Sequence, residues 1–363
     1  MSARPLPLQP KRIVLVNPTR YLGNLLIAGG LIQDFAALCQ SRNIEFKLVI
    51  DEAFAQLFDG ALPADSLLLY PRRRIKQANA FGKLAHYWHC LQQIRRFDAD
   101  IAFNIEEDSV SHRLTQLSGA YYRLGCSTTR HQRGYEEVMN VDFTERPVGE
   151  QHRWHSFQQV FARLGLPRSS TPSYLRLPVR PLTETLRMRL QQAGIDLTQQ
   201  QVVLHAGATK DYKKWPLTYY AQLGEQLRQP GRQVVFIGAG SDAREVAQVL
   251  QQIPLPHDGI VNLCNVLSLA ELAHYFRHVT AMVGNDSGPF HLAAAQGVAG
   301  LVIFGPTKVE LWGPLSPTTA VLKGTQGCSP ECTRQQCVHQ HRCLTSLTPE
   351  LALMRLQPLL KQA

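Results

Sequence analysis

No stretch of eighteen or more residues in this 363-residue chain is continuously apolar. The best candidate, Leu292–Pro306, is broken by Gln296, Gly297 and Gly300. On that count no membrane-spanning segment of the usual kind is expected. The opening "MSARPLPLQPKR" lacks the apolar core of a secretory signal, so the expected compartment is reducing, and the eight cysteines are not read as a disulfide framework. There is no short-period repeat and no basic tail of the kind that marks many nucleic-acid proteins. Residues 1–175 carry 21 Lys and Arg against 16 Asp and Glu, and the remainder 17 against 12. The net charge of +10 is therefore spread over both halves and points to an acidic partner, not to a disordered arm. With 44% hydrophobic and 18% charged residues, the chain has the composition of a folded globular protein, and its length allows two cores.

What is present alternates. "RIVLV" at Arg12–Val16 is followed by a glycine-containing turn and a helical pattern over Leu22–Gln40. Phe46–Ile50, Ser66–Tyr70, Ala99–Ile105 and Tyr121–Leu124 then read as strands between helices. "PRSSTPSYLRLPVRP" at 167–181 has the character of a linker, and the alternation restarts after it. Val202–His205, Gln233–Ile237, Ile260–Leu263, Thr280–Val283 and Leu301–Phe304 are the later strands. The expected fold class is α/β: two Rossmann-like domains facing across a cleft, residues 1–175 and 176–345, with a terminal helix in 346–363 packing back on the first.

Chemistry gathers at the turns after the later strands. "AGATKDYKKWP" (206–216) combines small residues with three lysines, which suits a phosphate; a solvated basic face is the plain alternative. "GAGSDAREVA" (238–247) fits G-x-G-x-x-A, a weak dinucleotide signal because it follows the second strand of its domain. Ser241 there reads as a helix cap, and Asp242 or Glu245 as a ribose ligand. "NVLSLAELAHYF" (265–276) places Ser268 and Glu271 at capping-box spacing. In "GNDSGPFHLAAAQGV" (284–298) a strand runs through a small polar turn into a helix over Pro289–Gln296, with Gly297 as its stop. Such a turn is ready for an anion, or else Asp286 or Ser287 simply caps the helix.

Taken together, "HAGATKDYKKWP", "VGNDSGPFHLAAAQGV" and "FGPTKVELWGP" resemble, in order and spacing, the bacterial heptosyltransferases of glycosyltransferase family 9. The N-terminal "RIVLVNPTRYLGNLLIAGGLI" and "FDADIAFNIEEDSVSHRLTQLSGAYYRLG" are similar to that family's first domain. The resemblance implies a GT-B fold and inverting, metal-independent transfer of heptose from ADP-heptose to a phosphorylated lipopolysaccharide inner-core acceptor. A protein acceptor, or nucleotide-sugar binding without turnover, are its alternatives, and a dehydrogenase is the remotest reading. It implies that Thr209 and Lys213 hold the diphosphate and that Leu267 packs on adenine. Asp242 or Glu245 would meet the ribose, and Asp286, Ser287, Gly288 and His291 would lie against diphosphate and sugar. Lys213 and Asp286 would also serve catalysis. No nucleic acid is expected as a partner. The expected location is cytoplasmic, at most peripheral on the inner face of the inner membrane.

One departure matters. Relatives carry Gly-Asp in the N-terminal turn, with the carboxylate as base; here the pair is Gly23-Asn24, and a neutral amide cannot take that proton. Glu106, Glu107 or Asp108, after the strand Ala99–Ile105, is the expected substitute, without a choice among the three; the alternatives are that Asn24 only orients the acceptor, or that donor is bound without turnover. Arg20, Arg72, Arg73, Arg74 and Lys76 are the expected acceptor-binding cations, and the aromatic and basic text of 83–96 extends that patch toward an anionic membrane surface. Finally, Cys328, Cys332, Cys337 and Cys343 form a C-x₃-C-x₄-C-x₅-C cluster, read as a structural zinc or iron site, with His339 or His341 as substitute ligands. Cys39, Cys90, Cys126 and Cys264 are read as core residues.

Overall fold

The computed structural model describes residues 4–126, 134–139, 152–324, 337 and 339–362. The chain divides into two compact units at Pro178/Val179. In the first, the strands are β1 (Arg12–Val16), β2 (Glu45–Asp51), β3 (Leu67–Tyr70), β4 (Ile101–Phe103), β5 (Tyr122–Cys126) and β6 (Glu137–Met139). They form one sheet in the order β3-β2-β1-β4-β5-β6. Its helices are α1 (Leu22–Ser41), α2 (Arg72–Gln77), α3 (Ala80–Phe97), α4 (Ser109–Leu117) and α5 (Arg153–Arg163). Every strand pair is parallel, which fits strands such as Val14–Val16 that are fully buried apolar runs.

The second unit repeats this plan. Its strands are β7 (Gln200–His205), β8 (Arg232–Phe236), β9 (Ile260–Asn262), β10 (Ala281–Asn285), β11 (Ala299–Phe304) and β12 (Thr319–Lys323), in the order β12-β11-β10-β7-β8-β9. Its helices are α6 (Glu184–Gln192), α7 (Leu217–Leu227), α8 (Asp242–Leu250), α9 (Leu269–Phe276), α10 (Gly288–Ala295), α11 (Val309–Trp312), α12 (Arg342–Thr345) and α13 (Pro349–Gln362). Numbered from its own first strand, this sheet has the same 3-2-1-4-5-6 order as the first. The order reverses between β1 and β4 in one unit and between β7 and β10 in the other. Ligands of doubly wound sheets bind outside the strands' carboxyl ends at those reversals, so each unit has one place to look.

Two features bear on the expectations. Helix α13 buries Ala352, Leu356 and Leu360 in the second unit's own core, beside Leu322, Leu344 and Leu347. Within its own unit it packs on α7, β11 and β12. Helix α1 is, among the described residues, the one helix long and apolar enough to cross a bilayer, although Gln33 and Asp34 interrupt it. Its Leu25–Ile32 stretch lies buried in the first unit. A Cβ on Gly29 would fall 2.3 Å from Leu175 Cβ, and one on Gly30 2.4 Å from Ser173 Oγ. These glycines let the segment leading out of the unit cross the helix at backbone distance, where Leu175 N–H donates to Leu26 O at 2.9 Å.

Candidate functional site

In the second unit the carboxyl end of β10 carries Asn285, Asp286 and Ser287, next to the loop after β7, because Gly284 pairs with His205. Asn285 is fully buried. Its Oδ1 accepts from Trp215 N–H at 2.9 Å, and its Nδ2 donates to Ala206 O at 2.8 Å and Gly207 O at 3.2 Å. One amide thus ties the start and end of the lysine loop to β10. Trp215, also buried, donates from Nε1 to Leu347 O at 2.7 Å and closes the loop from the other side.

Held this way, the loop delivers Lys213 Nζ to Asp286 Oδ2 at 2.6 Å. Thr307, from the turn after β11, donates to the same oxygen at 2.9 Å. His291 Nε2 lies 3.8 Å from Oδ1, one helical turn on. Burial by itself would raise the Asp286 carboxyl; the neighbouring imidazole and the Lys213 ammonium outweigh it and hold the group at about 2. Asp286 is therefore a permanent anion at neutral pH, on a cation that keeps part of its surface exposed.

The start of α10 is not capped by a side chain. Ser287 has an extended backbone (φ −151°, ψ 161°), and among the described residues its hydroxyl bonds His205 Nδ1 at 3.2 Å and not the helix. The simple capping role weighed for Asp286 and Ser287 is thus replaced by side-chain contacts away from the first turn. The first amides of α10 have no intrahelical partner and carry about half a positive charge. His205 continues the row: its Nε2 is 3.6 Å from Asp242 Oδ2, beyond hydrogen-bond length. Burial opposes ionisation of Asp242, but His205 and the Ala239 N–H bring its carboxyl below the usual range. Gly207 and Gly238 make room for Asp242: a Cβ on either would stand 2.5 or 2.6 Å from its side chain.

Asp242, Gly238, Ala239, His205, Leu267 and Pro289 help line a pocket of about 130 Å³. Leu267 is therefore at a pocket wall. Glu245 is not in the lining: Lys214 Nζ donates to it at 2.6 Å and to Asp211 at 2.8 Å. Thr209 is exposed on the loop. Ser241 does not cap α8, correcting that expectation; Asp242 takes the Ala239 N–H instead. The capping box of Ser268 and Glu271 forms as expected. Asn285, His205 and Thr307 were missed as site residues, although all three lie in or beside the quoted turn motifs.

The first unit has its own cluster at the β1/β4 reversal. Glu106, 8% exposed, follows β4. Its Oε2 accepts from Thr19 Oγ1 at 3.1 Å and Asn24 Nδ2 at 3.2 Å. Burial first, and the Asp108 charge second, push this carboxyl up to about 7 against the opposing bonds and the Arg153 charge. Asp108 turns to α4, where its Oδ1 accepts from Val110 and Ser111 N–H at 3.0 Å; it is a helix cap, not a free base. Glu107 is half-buried. In the basic patch, Arg72 is tied to Asp51 at 2.5 Å and Arg74 to Glu52 at 2.7 Å. Arg20 stacks on Tyr21. Arg73 and Lys76 are exposed, so the patch presents fewer unengaged cations than its composition suggests.

The cysteine cluster is not seen whole. Cys328 and Cys332 lie outside the described residues. Cys337 Sγ accepts from His341 N–H at 3.1 Å, and Cys343 is buried in the second unit's core. Among the described residues no group of three or more His, Cys, Asp or Glu is placed to hold a metal.

Two doubly wound units in series, the second with a charged cluster beside an uncapped helix start, are the architecture of GT-B proteins. A model of glycosyltransferase family 9 (heptosyltransferase) matches residues 87–342. The chain belongs to that family. It is 29% identical to lipopolysaccharide heptosyltransferase 1 of Pseudomonas aeruginosa over 96% of this chain and 98% of that protein. To lipooligosaccharide heptosyltransferase 2 of Campylobacter jejuni it is 29% identical over 42% of this chain; here the match spans about half (48%) of the relative's length. The Escherichia coli ADP-heptose lipopolysaccharide heptosyltransferase II shares the fold, with a TM-score of 0.73, 18% identity, and 97% and 99% of the two chains covered.

Proposed function

We propose that this protein transfers heptose from ADP-heptose to a hydroxyl of a phosphorylated lipopolysaccharide core, with inversion at the anomeric carbon. One observation carries the donor side: Asp286, fixed by Lys213 and Thr307, beside the uncapped start of α10. ADP departure gathers negative charge on the β-phosphate. Fixed amide dipoles and a lysine aimed at that charge stabilise it without reorganising. Such a site needs no catalytic metal. The pocket walled by Leu267 and Asp242 is smaller than a whole nucleotide site, which suits the base and ribose end of ADP. The relatives' names, ADP-heptose and lipopolysaccharide, supply the substrate class.

The acceptor side extends to a lipid surface. Helix α3 exposes Phe81 (82%), Leu84 (65%) and Trp88 (49%) at i, i+3 and i+7, one apolar stripe facing solvent. Arg73, Lys76 and Lys83 are exposed around it. An apolar stripe flanked by cations suits the interface of an anionic leaflet, where a lipid-linked acceptor is found. The test is thermal stabilisation by ADP, followed by release of ADP from ADP-heptose on addition of extracted core glycolipid. Stabilisation by NAD in place of ADP refutes the reading.

A further inference from the structure

Resting on that proposed transfer, we infer that Glu106 is the group that takes the proton from the acceptor hydroxyl, with Asn24 and Thr19 positioning it. Glu106 Oε1 is buried, and among the described residues it has no partner. At the same reversal point, Asn17 at the end of β1 is fully buried, with both its amide oxygen and its amide nitrogen unpartnered among the described residues. Buried polar atoms are nearly always satisfied, and leaving one unmet costs about 1–3 kcal/mol. Both residues follow strands that meet at the reversal where a doubly wound sheet binds its ligand, and unmet polar atoms there suit a molecule rich in hydroxyls. A hydroxyl donating to Glu106 Oε1 fills the vacant acceptor, and Asn17 offers both a donor and an acceptor to its neighbours.

The chemistry then balances. The acceptor O–H proton passes to the Glu106 carboxylate as the oxygen forms its bond to the anomeric carbon. The bond from that carbon to the ADP oxygen breaks, and its electron pair leaves with ADP. Glu106 afterwards returns the proton to solvent.

The amide at 24 also finds a reason. A second carboxylate 3.2 Å from Glu106 would make the pair share one proton. An amide there donates to Oε2 and favours the ionised form. A base is most effective with its affinity for protons near the working pH, and burial places this one there. The charged and titratable groups around it are Asp108 and Glu107 of its own loop, Arg153 at the start of α5, and Cys126 at the end of β5, whose thiol burial keeps neutral.

The test uses the full chain with ADP-heptose and core glycolipid. Glu106→Gln lowers kcat by about 10²–10⁴-fold, while stabilisation by ADP, bound by the other unit, is retained. Wild-type kcat falls on the acid side of pH about 7. Asn24→Ala, which removes a bond favouring the carboxylate, moves that limb to higher pH. A Glu106→Gln enzyme within about threefold of wild-type kcat, or an acid limb that Asn24→Ala leaves in place, overturns the assignment. If Glu106→Gln does not fold, the two pH profiles decide. A wild type that is stabilised by ADP but releases none from ADP-heptose overturns the underlying transfer, and this assignment with it.

Discussion

Replacing Lys213 by Met isolates the pair on which the donor site is built. The substitution keeps the stem and removes the ammonium 2.6 Å from a carboxylate that is 5% exposed. In the native unit Asp286 lies at about 2 against 3.8 for an ordinary aspartate, a depression worth roughly 2–3 kcal/mol. His291 and Lys213 share that work, so the loss falls near 1–2 kcal/mol at pH 7. The sign follows from the depressed value. The stabilisation is complete above pH 3.8 and disappears as pH falls toward 2, so the gap between wild type and variant is widest at neutral pH and narrows below about pH 4. Urea unfolding of the full chain at pH 7, 5, 4 and 3 reads the gap. Isothermal titration with ADP reads the second consequence, an affinity about tenfold or more weaker. A variant within about 0.5 kcal/mol of wild type at pH 7, or a gap that grows on acidification, refutes the reasoning.

Asn285→Leu leaves Trp215 N–H and two loop carbonyls without their partner; the melting temperature falls by about 6–10 °C, and an unchanged value would show that the tie is not needed. Phe81→Ser with Trp88→Ser removes two exposed rings from α3, so binding to vesicles of anionic phospholipid drops by about tenfold or more, while neutral vesicles bind neither form; equal sedimentation of variant and wild type removes the membrane reading. Raised salt weakens the wild type's vesicle binding through its cationic share, and no change with salt would leave the apolar stripe acting alone.

How far the sequence alone discloses each element of the molecule differs, for physical reasons. Strands with runs of buried β-branched residues declared themselves, and Arg12–Val16 has the bounds its composition suggested. The two missed strands, Glu137–Met139 and Thr319–Lys323, sit at sheet edges and are mostly half-buried, with Leu322 alone buried. Edge strands carry a weak apolar signal because one side has no neighbour. The turn around Asp286 was visible as a motif, whereas His205 and Asn285 act through the register of β7 against β10, which no local pattern encodes. Ser241 was misread because its backbone is already helical (φ −67°, ψ −28°), not the extended form from which a side chain caps. Glu106 and Asn24 are 82 residues apart and meet only because the sheet order sets β1 beside β4. Sequence reasoning could reach three carboxylates there but had no means to choose one.

Mass spectrometry of a truncated core glycolipid, incubated with the full chain and ADP-heptose, tests the central claim most directly. Heptose transfer gives a gain of one heptose per acceptor, matched by one ADP released, and loss of both with Glu106→Gln. An acceptor of unchanged mass, beside a chain that still binds ADP, would contradict it.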